Sequence, residues 1–218
     1  MRIIKFIILI YVFSLSHSYS FEFKKGEGSE FTFSTEGKNV NLNIYIANVD
    51  SQEMAVEFHF GSSEIISMNM WQQFIFGLKD KSPIALKAGY IKTGENNNVE
   101  KMTNEMIRVN KGVQIEDFLF TDKKVIDKDF IADEKIETPA GVIIAKHYKK
   151  VTMDQTVDFW IADMVKPIGL VKLVSKSEKT KTNNYEIELK SLLKNVDATI
   201  NPKDSKPISE STKKLLNK

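Results

Sequence analysis

The chain has 218 residues, 42% apolar, 28% charged and 10% aromatic, with five prolines and no cysteine; this composition excludes a disordered polymer and a collagenous repeat, and leaves no disulfide to support the core. The 31 basic and 29 acidic residues give a formal charge of only +2, which argues against the concentrated basic field that nucleic-acid binding needs.

Residues 1–20, MRIIKFIILIYVFSLSHSYS, place Arg2 and Lys5 before an apolar run at 6–15 and end in small residues. This is the layout of a secretory signal peptide, and the run is shorter than the roughly 20 residues of a membrane-spanning helix. The sequence therefore predicts an exported protein, periplasmic in a bacterium, cleaved after Ser18 or Ser20. Without a cysteine it carries no lipid at the cut, and no stable transmembrane anchor is expected. Losing Arg2 and Lys5 leaves 29 basic residues against 29 acidic ones, so no nucleic-acid partner is expected of the mature chain. The expected organisation is a signal peptide at 1–20, a single β-rich domain at 21–200 and a polar, poorly ordered C-terminal tail at 201–218.

Phenylalanine spacing carries the fold class. Ten of the twelve phenylalanines beyond residue 20 form Phe-x-Phe pairs: Phe21/Phe23, Phe31/Phe33, Phe58/Phe60, Phe74/Phe76 and Phe118/Phe120. On a strand both rings of such a pair share one face, whereas on a helix they stand about 200° apart. Val40, Leu42, Ile44 and Ile46 likewise alternate with Asn39, Asn41 and Asn43. Further runs at 84–92, 106–109, 143–151, 156–161, 170–175 and 184–189 are bounded by turn residues. The expected fold is mostly β, a curved antiparallel sheet or half-barrel of about eight to eleven strands with one or two short helices. A helix is expected over 62–79, where Ile66, Met70, Trp71, Phe74, Ile75 and Leu78 recur at three and four. Leu189, Leu192, Leu193 and Val196 give a second helical stripe, in competition with a strand through Tyr185, Ile187 and Leu189.

Catalytic chemistry is sparse. His59 and His147 are the only histidines beyond residue 20, and neither belongs to an H-E-x-x-H pattern. His59, between Phe58 and Phe60, points away from both rings and is expected to face solvent. No nucleophile elbow G-x-S-x-G and no phosphate-cradling glycine loop occurs. No catalytic residue, metal ligand or cofactor is therefore predicted. Met68, Met70, Trp71, Phe74 and Phe76, clustered in one segment, are the candidate ligand-binding residues, because flexible methionines and flat rings line adaptable apolar sites. The competing reading is that they fill the core.

Residues 134–175 are the most distinctive. Thr138-Pro139-Ala140-Gly141 reads as a turn, with Pro139 fixing φ at its second position and Gly141 free to take positive φ at its fourth. A strand follows over 142–151, a second turn lies near 152–155, and the next strand carries Trp160 beside Asp158 on one face. Pro167 and Gly169 then open another strand. This order resembles periplasmic proteins of the lipoprotein-localisation (LolA/LolB-like) half-barrel type, and a related uncharacterised periplasmic family with the same paired turn and Trp strand. The resemblance implies an incomplete curved barrel that holds acyl chains under a helical lid, with 62–79 part of that lid. The first functional expectation is thus an exported, non-catalytic protein that binds or carries an acyl chain, lipid or lipidated partner. The alternative is a cell-envelope structural or protein-interaction module with a filled core, and a hydrolase stands third.

Overall fold

The computed structural model describes residues 23–79, 82–94, 96–109, 128–152, 154–179 and 184–216. Residues 1–20, expected to be a signal peptide, and the Phe118/Phe120 pair lie outside the described residues. In chain order the elements are β1 (Gly28–Thr35), β2 (Lys38–Val49), β3 (Glu53–Phe60), β4 (Met70–Lys79), β5 (Ser82–Thr93), β6 (Asn96–Lys101), α1 (Asn104–Val109), β7 (Phe130–Thr138), β8 (Gly141–Val151), β9 (Thr156–Ile161), β10 (Leu170–Lys176) and β11 (Tyr185–Leu193). A 3-10 turn (Pro202–Asp204), β12 (Lys206–Pro207) and α2 (Glu210–Leu216) follow.

All twelve strands join one sheet, in the order β12-β6-β5-β4-β3-β2-β1-β11-β10-β9-β8-β7. Every pairing is antiparallel except β12 on β6. The mostly β expectation holds, and the short β12 takes the strand number past eleven. The sheet does not close, since β12 and β7 are its two ends. It does curl. Strand β7 touches β11, four places away in the order, whereas in a flat sheet they would lie about 19 Å apart at the usual spacing of about 4.8 Å.

Alternation decides the main core. Phe31 and Phe33 of β1, Val40 to Ile46 of β2 at every second residue, Phe58 and Phe60 of β3, and Phe74 and Phe76 of β4 all point to one face and are buried. Gly28 lets β1 approach β2: a Cβ there would stand 2.4 Å from the Ile44 carbonyl oxygen. Above β3 to β5 the opposite face is covered as well, where Tyr90, Val99 and Ile200 form a second buried cluster with Trp71, Ile75 and Ala88 around it.

Four expectations are corrected here, the first being that 106–109, read as a strand run, lies in the helix α1. Residues 70–79 are strand, not helix, and 61–69 is irregular. Leu189, Leu192 and Leu193 belong to β11, not to a helix. The segment beyond Ile200 is docked: β12 pairs with β6, Ile208 reaches the main core and Leu216 packs against it.

Candidate functional site

The five candidate ligand-binding residues do not meet on one surface. Met68 lies half-buried in the irregular stretch before β4. Met70, Phe74 and Phe76 point into the main core, with Phe74 and Phe76 almost without exposure. Trp71, being one residue out of phase, lies on the opposite face. Its ring stacks on His59 of β3 at 4.6 Å, with planes 2° apart, while Lys92 Nζ of β5 lies 5.7 Å from the ring centroid on its other side in the sheet order. His59 is therefore half-buried and not the solvent-facing ring expected. Burial holds its imidazole below the usual range, although the Asn69 side chain and the Glu57 charge pull the other way. His59 Nε2 and Asn43 Oδ1, on cross-strand neighbours, are both buried without a hydrogen-bond partner.

The turn residues shape the second half of the sheet. Gly141 has φ +111° and opens β8, and the Thr138 hydroxyl donates to its carbonyl at 3.0 Å. Pro139 lies in the turn between β7 and β8. Pro167 follows a cis peptide and Gly169 has φ +75°, within the loop whose Ala162 and Gly169 backbones bond at 2.8 Å.

These turns bring together a cluster that residue types alone do not reveal. His147 of β8 lies between two carboxylates, with Nδ1 2.9 Å from Glu134 Oε1 of β7 and Nε2 2.9 Å from Asp158 Oδ1 of β9. Trp160 of β9 stacks on the His147 ring at 4.4 Å and donates from Nε1 to Glu134 Oε2 at 2.8 Å. The Trp160 and His147 hydrogen bonds hold the Glu134 carboxyl below the usual carboxylate range. Lys149 Nζ stands 3.7 Å from Asp158. The signal for this cluster was the register that the two turns impose. Pairing outward from Thr138 and Gly141 sets Glu134 beside Ala145, and pairing outward from Val151 and Thr156 sets His147 opposite Trp160. Among the described residues no group of three or more His, Asp or Glu converges to hold a metal ion; His147 bridges its carboxylates.

The β7–β8 hairpin also exposes several large apolar side chains. Val142 and Ile144, two residues apart on β8, are 65% and 69% exposed, and Ile131 of β7 is 54% exposed. Phe130 and Val151, on the same two strands, are also exposed, so β7 and β8 supply five of the seven exposed large apolar side chains among the described residues. Among these residues β7 pairs only with β8, and its outer edge carries no strand. No helix of the described residues is long and apolar enough to cross a membrane.

No family model matches the chain, and no curated protein matches it. Among solved structures, a protein from Bacteroides fragilis described as exported, with a YmcC-like fold, matches at 14% identity and a TM-score of 0.38, over 79% of this chain and 97% of that one. PNGF-II matches at 13% identity and a TM-score of 0.32, over 88% of this chain, which spans 32% of that protein. These likenesses assign the chain neither a family nor an activity.

Proposed function

We propose that the protein is an exported, non-catalytic interaction module of the cell envelope, and that it takes an extended segment of another protein along the outer edge of β7, which pairs with no strand but β8 among the described residues. Export is inferred from the charged, apolar and small-residue order of residues 1–20. The observation that carries the docking reading is the concentration of exposed Phe130, Ile131, Val142, Ile144 and Val151 on the one hairpin that ends the sheet. An edge strand offers unpaired backbone groups, and apolar side chains beside it give an added strand something to bury. The other sheet end is different, because its edge strand β12 is only two residues long, Lys206 and Pro207, too short to seat an added strand. Carriage of an acyl chain has less support, since Phe74 and Phe76 are packed into the core and Trp71 faces away from them.

The test is photo-crosslinking in the native envelope from a probe residue at Ile131, with native mass spectrometry of the purified protein. The expected result is a protein adduct that maps to β7 and is lost in a Val142→Lys/Ile144→Lys double variant with an unchanged melting point. A stoichiometric lipid mass with no protein crosslink overturns the reading in favour of carriage.

A further inference from the structure

Glu134, His147 and Asp158 lie on three consecutive strands, and the imidazole joins the outer two. A carboxylate only accepts hydrogen bonds, so each 2.9 Å contact is a bond only if that ring nitrogen carries a proton. A neutral imidazole has one proton for two nitrogens. It therefore keeps one bond and sets a lone pair against a carboxylate oxygen at the other. We propose that the Glu134–His147–Asp158 bridge is a proton-dependent clasp, which fastens the edge strand β7 to β9 when His147 is charged and loosens it when the ring is neutral. That the clasp thereby governs access to the β7 edge rests on the docking reading above.

The geometry around the ring marks a built bridge and not an incidental contact. The His147 side chain is 13% exposed and that of Asp158 21%, whereas Glu134 is 37% exposed, so solvent screens the Asp158 contact less than the Glu134 contact while protons can still exchange. Trp160 covers one ring face and grips the second oxygen of Glu134, fixing that carboxylate whatever the charge on His147. The charged groups around the clasp are Glu134 from β7, Lys149 from β8 and Asp158 from β9. Lys172 of β10 lies opposite Trp160 in register, where Glu186 and Glu188 of β11 occupy it at 2.7 and 3.1 Å. Lys149 lies farther from Asp158, at 3.7 Å, than the ring does, so it neutralises that carboxylate only in part.

The measurement is amide hydrogen exchange of the mature protein between about pH 5 and 8, the span in which imidazoles change charge, corrected for the base-catalysed intrinsic rate. Protection of β7 amides, relative to those of β2, is expected to fall about tenfold as pH rises and the bridge loses its proton. In Asp158→Asn the amide N–H can donate to a neutral Nε2, so β7 protection is expected to become flat with pH. A wild-type ratio that does not change with pH overturns the clasp, as does an Asp158→Asn protein that keeps the full fall. Crosslinking at Ile131 repeated at both pH extremes separates the two claims. A partner captured equally at both, with flat β7 protection, sinks the clasp and leaves docking; a clear pH effect with no partner at either pH sinks docking and leaves the clasp.

Discussion

At the scale of single residues, Glu57 carries the largest burden. It has no exposed surface, yet it accepts from the Tyr45 hydroxyl at 2.6 Å, Gln73 Nε2 at 2.8 Å, and the backbone N–H groups of Thr199 at 2.9 Å and Ile200 at 3.1 Å. Burial and the adjacent Glu57 carboxylate push the Tyr45 phenol above its ordinary value, so it stays protonated and donates. The arrangement ties β2, β3 and β4 to the segment that follows β11. Glu57→Leu leaves these donors unpaired at about 1–3 kcal/mol each, and a loss of about 3 kcal/mol or more in denaturant unfolding is expected. A loss below about 1 kcal/mol would mean that water satisfies the donors and that the segment is held by other contacts. None of this was legible in the sequence, where Glu57 is an ordinary polar position between Val56 and Phe58. Its partners at 199 and 200 are set by the chain crossing back over the sheet, which no local pattern records.

At the scale of elements, the period-2 signal was readable wherever one face of a strand is polar, as in β1 and β2. It failed in β4, for a physical reason. Phe74 and Phe76 pack into the main core while Trp71 and Ile75 pack under Ile200, so apolar residues occupy both phases and mimic a helical stripe. Ile66 completed that false stripe from the irregular stretch beforehand. The C-terminal segment was misread by the same logic in reverse, because few apolar residues suffice to dock it. Ile208 reaches the main core, Thr212 is buried, and the Ser209 N–H donates to the buried Glu100. Removing residues 203–218 deletes these contacts and exposes the β6 edge. One buried isoleucine contributes about 1.5–3 kcal/mol, and 1 kcal/mol moves the midpoint of a domain this size by about 2–4 °C. The truncated protein is expected to melt about 5 °C or more below the full chain, and an unchanged midpoint in calorimetry would contradict the docking.

At the scale of the whole molecule, each half of the sheet carries one histidine stacked on one tryptophan, and their surroundings make them electrostatically unlike. His147 has a carboxylate at each nitrogen, a placement that the two hairpin turns made legible in outline although the carboxylate contacts themselves depend on side-chain direction. His59 has no carboxylate at its ring, and desolvation is the largest influence on it, lowering its proton affinity. The unfolded chain then binds a proton at His59 more readily than the folded one. The stability that this difference supplies is present above the unfolded value of about 6.5 and is lost as pH falls. Glu134 and Glu30 are also held below the usual carboxylate range, Glu30 chiefly by Lys190, so their contributions are lost only at more acid pH, as each carboxyl protonates in the folded protein. Unfolding free energy of the Asp158→Asn protein, which lacks the opposing pH dependence of the His147 clasp, is expected to fall in two steps from about pH 8 downward, one beginning near 6.5 and one below about 4. His59→Phe keeps an aromatic ring on Trp71 but removes the titration, so it should erase the first step and leave the second. An Asp158→Asn curve that stays level down to about pH 5, or one that retains the first step when His59→Phe is added, would show that the ring takes up its proton in the folded state as easily as in the unfolded one.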